Sequence, residues 1–186
     1  MIDKKELANS YQIIAEELLS YGSVRSQTIQ KFDGKYYPAS AHQCEGSWFF
    51  LVREGADKYL VGTSNSNIDP DFQGANFTKH GINIRVGELT AENSQFIQTR
   101  FPFTKPTFDL TADVSMGFGD RLGIATPGHI RSVRNTQVFP VFAQQSMREM
   151  TFTNRRFSDV IGDAAWGTFQ EDYQKGFAAD GDHLKS

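Results

Sequence analysis

The sequence has a single cysteine, Cys44, and therefore no intrachain disulfide and no thiolate pair or quartet for a structural zinc site. That scarcity suits a reducing cytoplasm, which is the expected location. Nowhere do about 18 apolar residues run together, so membrane insertion is not expected. The opening Met1-Ile2-Asp3-Lys4-Lys5-Glu6 mixes charges where a signal peptide would be apolar. Excess charge is also missing: 19 Lys and Arg stand against 22 Asp and Glu, a net of -3, which argues against a dedicated nucleic-acid surface. Internal repeats, low-complexity tracts and long like-charge runs are absent too. What the chain does have is apolar mass, with 39% hydrophobic residues and 16 Phe, and this excludes global disorder. At 186 residues it is expected to fold around one main core with a small lobe attached.

Leu7, Tyr11, Ile14, Leu18 and Tyr21 recur at helical steps, predicting an amphipathic helix that ends at Gly22. From Ser23 to Thr63 the texture turns to short β runs. Ser47–Arg53 and Lys58–Thr63, separated by Glu54-Gly55-Ala56-Asp57, predict a hairpin. Residues 64–74 read as a polar loop, 82–86 as a strand, and 90–103 as a short helix followed by an extended stretch.

A second texture begins near Asp109, after Phe103-Thr104-Lys105-Pro106-Thr107. A strand over 110–116 runs into a glycine-rich turn over 117–123. A helix after Pro127, a buried strand over 137–143, a helix over 158–175 and a strand over 176–183 follow. This is the βαβ grammar of a parallel sheet, whose working groups gather at the strand C-termini. The expected fold is therefore α/β: a mixed α+β lobe over residues 1–108, then the first βα units of a TIM-barrel-like domain over residues 109–186.

Gly117, Gly119 and Gly123 after a strand invite a dinucleotide-binding reading, and with it a nucleotide-dependent oxidoreductase. Their spacing is not the usual one, and Asp120 and Arg121 fall where the loop should be small. A tight turn at a sheet mouth, or a small anion held by backbone N–H groups and Arg121, explains them equally well. Asp182-His183-x-Lys185 is the densest chemical cluster: imidazole suits a divalent metal, carboxylate a ligand or base, lysine an oxyanion or substrate carboxylate. A solvated chain terminus is its ordinary explanation. Gln144, just past the second strand, is placed to hydrogen-bond a polyol, whereas Arg148 and Glu149 read as an exposed pair. His42, His80 and His129 read as packing or capping residues, and Cys44 as a small buried hydrophobe.

Four longer stretches carry more than any of these motifs. Gly117-Phe-Gly-Asp-Arg-Leu-Gly-Ile-Ala-Thr-Pro-Gly-His-Ile-Arg131, Pro140-Val-Phe-Ala-Gln-Gln-Ser-Met-Arg-Glu149, Asp163-Ala-Ala-Trp-Gly-Thr-Phe-Gln170 and Ala179-Asp-Gly-Asp-His-Leu-Lys185 together resemble the tagaturonate epimerase family. The resemblance covers the chain from about Met116 onward and, more loosely, the lobe before it. It implies a metal-dependent epimerase on a (β/α)-barrel-like domain, interconverting D-tagaturonate and D-fructuronate in hexuronate catabolism. It also implies that Asp182 is the proton acceptor and His183 a ligand of a divalent cation of unspecified identity. Lys185, Gln144 and Arg121 are the candidate substrate-binding residues.

A complete barrel takes about 250 residues, and the stretch from residue 110 onward has room for roughly two and a half βα units. The chain is therefore expected to be an N-terminal portion, with the other metal ligands and the proton donor elsewhere. On its own it should be inactive and prone to self-association through an uncovered sheet edge. The alternative is a non-catalytic sugar-acid-binding or interaction domain that lost its catalytic half.

Overall fold

In the computed structural model, residues 4–108 and 112–182 are described, and they fall into two compact units, 1–93 and 94–186. The division lies within the helix over Ala91–Arg100, upstream of the change in sequence texture at residue 109.

Unit 1 begins with α1 (Lys4–Tyr21) and α2 (Ser26–Lys31). Gly22 follows α1 at φ +68°, the left-handed conformation that glycine adopts without cost, so the helix stops where expected. Six antiparallel strands form one sheet: β1 (Lys35–Tyr36), β2 (His42–Cys44), β3 (Ser47–Glu54), β4 (Asp57–Ser64), β5 (Ala75–Lys79) and β6 (Ile82–Glu88). The order is β1-β3-β4-β6-β5, with β2 also on β3. The predicted hairpin is β3–β4, paired from Trp48↔Thr63 to Glu54↔Asp57. Tyr11, Ile14, Ala15 and Leu18 of α1 pack on Phe50, Val52, Val61, Ile84 and Val86, one face of the sheet. Full burial of side chains of this size stabilises by about 1.5–3 kcal/mol each, which fixes the register of the helix on the strands. The polar loop at 65–74 turns Ile68 and Phe72 inward, with Phe72 edge-on to Phe49 at 5.8 Å.

α3 (Ala91–Arg100) leads into unit 2 and a single 3-10 turn over Pro102–Thr104, where the sequence suggested extended chain. Unit 2 contains β7 (Ser115–Gly119), α4 (Thr126–Val133), β8 (Phe139–Ser146), α5 (Met147–Thr153), α6 (Phe157–Glu171) and β9 (Ala178–Asp182). Its sheet is parallel, in the order β7-β8-β9, as the βαβ reading required. Ile130 and Val133 of α4, with Val160 and Ala164 of α6, cover one face through Phe142, Ala143 and Phe177, joined by Phe118 and Ala179. Among the described residues there is no closed barrel.

Two boundaries differ from expectation. β8 runs three residues beyond Ala143, which puts Gln144 and Gln145 inside the strand. α6 stops at Glu171 because Asp172 adopts a left-handed cap at φ +49°. Residues 109–111, the start of the predicted 110–116 strand, lie outside the described residues, and the strand that is described starts at Ser115.

Candidate functional site

The parallel sheet gathers the chemistry-bearing residues at its C-terminal edge. β7 ends at Gly119 and delivers Asp120 and Arg121; β8 ends at Gln144-Gln145-Ser146; β9 ends at Asp180-Gly181-Asp182. The register aligns Gly119 with Gln144, Gln144 with Asp180, and Ser146 with Asp182. Asp182 is thus the last residue of β9, at the strand end where the sequence placed it. His183 and Lys185 lie outside the described residues.

Asp120 is 4% exposed and caps α4. Its carboxylate accepts from the backbone N–H groups of Ile124 at 3.1 Å, Ala125 at 2.7 Å and Thr126 at 3.0 Å, and from the Thr126 hydroxyl at 3.2 Å. Burial works against its charge, but these hydrogen bonds outweigh it and hold the group below the ordinary carboxylate range. The helix N-terminus that a pyrophosphate or a small anion would need is therefore already filled by the chain's own anion. Gly117 and Gly119 belong to β7 rather than to a phosphate loop, and only Gly123, at φ +71°, serves a turn. The dinucleotide reading fails on this geometry.

Arg121, largely exposed, forms an ion pair with Glu149 of α5, so Glu149 pairs across the rim rather than with Arg148. Gln144 is half-buried, and its amide lies over Gly117, where the Cβ of any other residue would overlap it. Phe118, Phe142, Ala143 and Ala179 pack on the helix side, with β8 breaking its alternation between Val141 and Ala143. The amide of Gln144 over Gly117, and the alternation of Asp180 with Ala179, put both on the opposite face.

Beneath the rim, Arg155 holds four groups that the sequence did not single out. Its guanidinium donates to the carbonyls of Asp120 at 3.0 Å and Arg121 at 2.9 Å, to Gln145 Oε1 at 3.1 Å, and to the carboxylate of Asp163. Gln145 is 2% exposed, and its Nε2 has no partner among the described residues. A readable trace existed for one missed element: Ser146-x-x-Glu149 is a capping-box pattern, and the Ser146 hydroxyl accepts from the Glu149 N–H at 3.3 Å to start α5. Nothing in the local sequence announces Arg155, whose partners come from three separate segments.

The remaining histidines are structural. His129 packs against Phe118 with ring centroids 5.2 Å apart, and His80 contacts Gln12 at 2.5 Å in the β5–β6 turn. Among the described residues no three His, Cys, Asp or Glu side chains converge to hold a metal ion. No helix among them is long and apolar enough to cross a membrane.

Comparison with known proteins places this arrangement. The sequence pattern of one family, UxaE, tagaturonate epimerase, matches residues 37–186. The tagaturonate/fructuronate epimerase of Thermotoga maritima is 39% identical over 153 residues, which is 80% of this chain and 31% of that protein. The crystal structure of fructuronate-tagaturonate epimerase UxaE from Cohnella laeviribosi with one glycerol bound superposes with a TM-score of 0.80 at 33% identity, covering 99% of this chain and 34% of that one. The native crystal structure of the same enzyme gives 0.77 at 35% identity. The chain spans about a third of the length of these relatives. With a match over most of its length, the chain belongs to the tagaturonate epimerase family.

Proposed function

We propose that the protein carrying this chain interconverts D-tagaturonate and D-fructuronate in hexuronate catabolism in the cytoplasm. We also propose that the parallel sheet of unit 2 contributes the first strands of a (β/α)-barrel. The observation that carries this reading is the end of β9: Asp182, the expected proton acceptor, is the terminal strand residue beside Ser146, at the edge where parallel α/β sheets place their reacting groups. The family relationship supports the substrate pair.

In this reading Asp182 takes a proton from the sugar acid, and Gln144, Arg121 and Lys185 contact its oxygens. His183 is the proposed ligand of a divalent cation, which supplies charge neutralisation at the keto and hydroxyl oxygens when bound. The described residues do not by themselves make a site for such a cation, so no step is assigned to it. A catalytic metal site ordinarily needs about three protein ligands, and on that basis the chain alone is proposed to be inactive. Among the described residues β7 and β9 each have one hydrogen-bonded neighbour, which supports self-association through their outer edges.

The test is epimerisation of tagaturonate with added divalent metals. It compares this chain, any longer reading frame that contains it, and Asp182→Asn in the active form. Loss of turnover in Asp182→Asn supports the base assignment, and turnover that survives removes Asp182 from the mechanism. Absence of epimerisation in every form overturns the functional reading.

A further inference from the structure

We infer that Gln144 and Asp180 form a hydroxyl-binding pair that grips a vicinal diol of a polyhydroxylated substrate, beside and below the strand end that carries Asp182. The inference deepens the epimerase reading, from which it takes the substrate class.

The two residues are register partners on adjacent parallel strands, on backbones about 4.8 Å apart. Gln144 lies on the sheet face away from the helices because its amide sits over Gly117, whose neighbour Phe118 packs into the helix-side core, and Asp180 lies there by alternation with Ala179. Asp180 is exposed and Gln144 half-buried, and neither side chain makes a hydrogen bond to another described residue. Polar groups that serve the fold are spent on it, as Asp120 and Arg155 are; these two are not.

Gln144 has space made for it. Its amide fills the space left open by the missing side chain of Gly117, and a Cβ there would collide with its oxygen, carbon and nitrogen alike. A glycine on one strand, an amide on the next and a carboxylate on the third lie side by side on one face, bringing a donor and several acceptors together. That is the complement of adjacent hydroxyls, each of which donates one hydrogen bond and accepts others. An ionised Asp180 accepts strongly from a hydroxyl and repels a carboxylate. The pair therefore selects the hydroxylated end of a sugar acid and turns its carboxylate elsewhere. Asp182 is two residues further along β9, about 6.6 Å on, within the span of one six-carbon chain.

Saturation-transfer NMR with sorbitol, a neutral polyol, tests the pair without any reference to epimerisation, and steady-state kinetics on tagaturonate, in the longer form that turns over, tests it within the reaction. Sorbitol is expected to receive saturation from the wild-type protein and to lose most of it in Asp180→Asn and in Gln144→Ala. Each variant is expected to raise KM for tagaturonate about tenfold or more, with kcat within about threefold of wild type. A sorbitol signal unchanged in both variants, or absent from the wild type, overturns the proposal, as does an unchanged KM. A collapse of kcat in Asp180→Asn would instead make Asp180 a group in the chemistry and also overturns the binding role. If this pair binds sorbitol but neither this chain nor any longer form that contains it epimerises tagaturonate, the pair stands and the epimerase reading falls. Epimerisation with no response to either substitution gives the reverse.

Discussion

The Asp120 carboxylate accepts the backbone N–H of Ala125 at 2.7 Å, binding the end of β7 to the start of α4 across a turn of only four residues. The site rim depends on this contact, since Arg121 emerges from the same turn. Burial opposes the charge and the four hydrogen bonds favour it, with the net effect that the folded-state pKa lies below the unfolded value near 3.9. The stability it contributes is therefore present above about pH 3.9 and is lost as the pH falls through the lower, folded-state value. Asp120→Asn is expected to cost about 1–2 kcal/mol at neutral pH. Urea unfolding from about pH 7 to about pH 2 should show the gap to wild type closing at the acid end. A gap that does not change with pH would mean that the charge of Asp120 contributes nothing.

Arg155 predicts a different pattern. Its side chain is 15% exposed and donates to two carbonyls, Gln145 and Asp163 together, so its removal takes a donor from four acceptors at once. Arg155→Ala is expected to destabilise by roughly 2–4 kcal/mol, somewhat less than a fully buried pair because solvent reaches one side. Arg155→Lys should recover little of this, since a point charge cannot replace a planar fork with five donors. Adding Asp163→Asn to Arg155→Ala should cost much less than Asp163→Asn alone, because the partner is already gone. Additive losses in denaturation would show that the two residues act independently.

Gly117 links the sequence to the proposed diol site in a way that can be measured without touching a polar group. In Gly117→Ala the new Cβ meets only the end of the flexible Gln144 side chain, which can swing away. The thermal transition should therefore move by a few degrees at most, about 1 kcal/mol or less. The sorbitol signal should fall as it does in Gln144→Ala, and the double variant should be no worse than either single one. A Gly117→Ala protein that binds sorbitol normally would show that the position of Gln144 does not matter.

The order of elements was readable because each signal is local. The four- and three-residue spacing of Tyr11, Ile14 and Leu18 builds α1, and Glu54-Gly55-Ala56-Asp57 closes the β3–β4 hairpin. The alternation of strand and helix after residue 110 also yields the parallel sheet and the position of Asp182 at a strand end. β5 escaped notice because Ala75-Asn76-Phe77-Thr78-Lys79 is mostly polar and gains its strand from pairing with β6. Gln144 was recognised as polar and near the edge, but the room that Gly117 leaves for it needs a neighbouring strand to exist. The role of Arg155 depends on partners brought together by folding, and a linear pattern carries no trace of that, whereas the partners of Asp120 lie only four to six residues ahead of it. The glycines misled for a related reason: spacing alone cannot distinguish a loop that receives an anion from a strand that makes room for a glutamine.

The packing of α4 on α6 turns on one close approach. Gly167 of α6 faces Thr126 of α4, and a Cβ at residue 167 would sit 2.5 Å from Thr126 Cγ2 and 2.7 Å from its Cβ. Thr126 is 1% exposed and its hydroxyl donates to Asp120, so it cannot retreat without loosening the cap. Gly167→Ala is expected to destabilise by about 1–3 kcal/mol through this overlap, although alanine favours the helix. Thr126→Ser removes Cγ2 and keeps the hydroxyl, so the double variant should regain part of the loss. The contact with Cβ remains, so recovery should be incomplete. Thermal unfolding of the four proteins gives the interaction energy directly. A double variant no more stable than Gly167→Ala would mean that the helices are held apart by something other than Thr126. Full recovery would mean that its methyl group alone sets their separation.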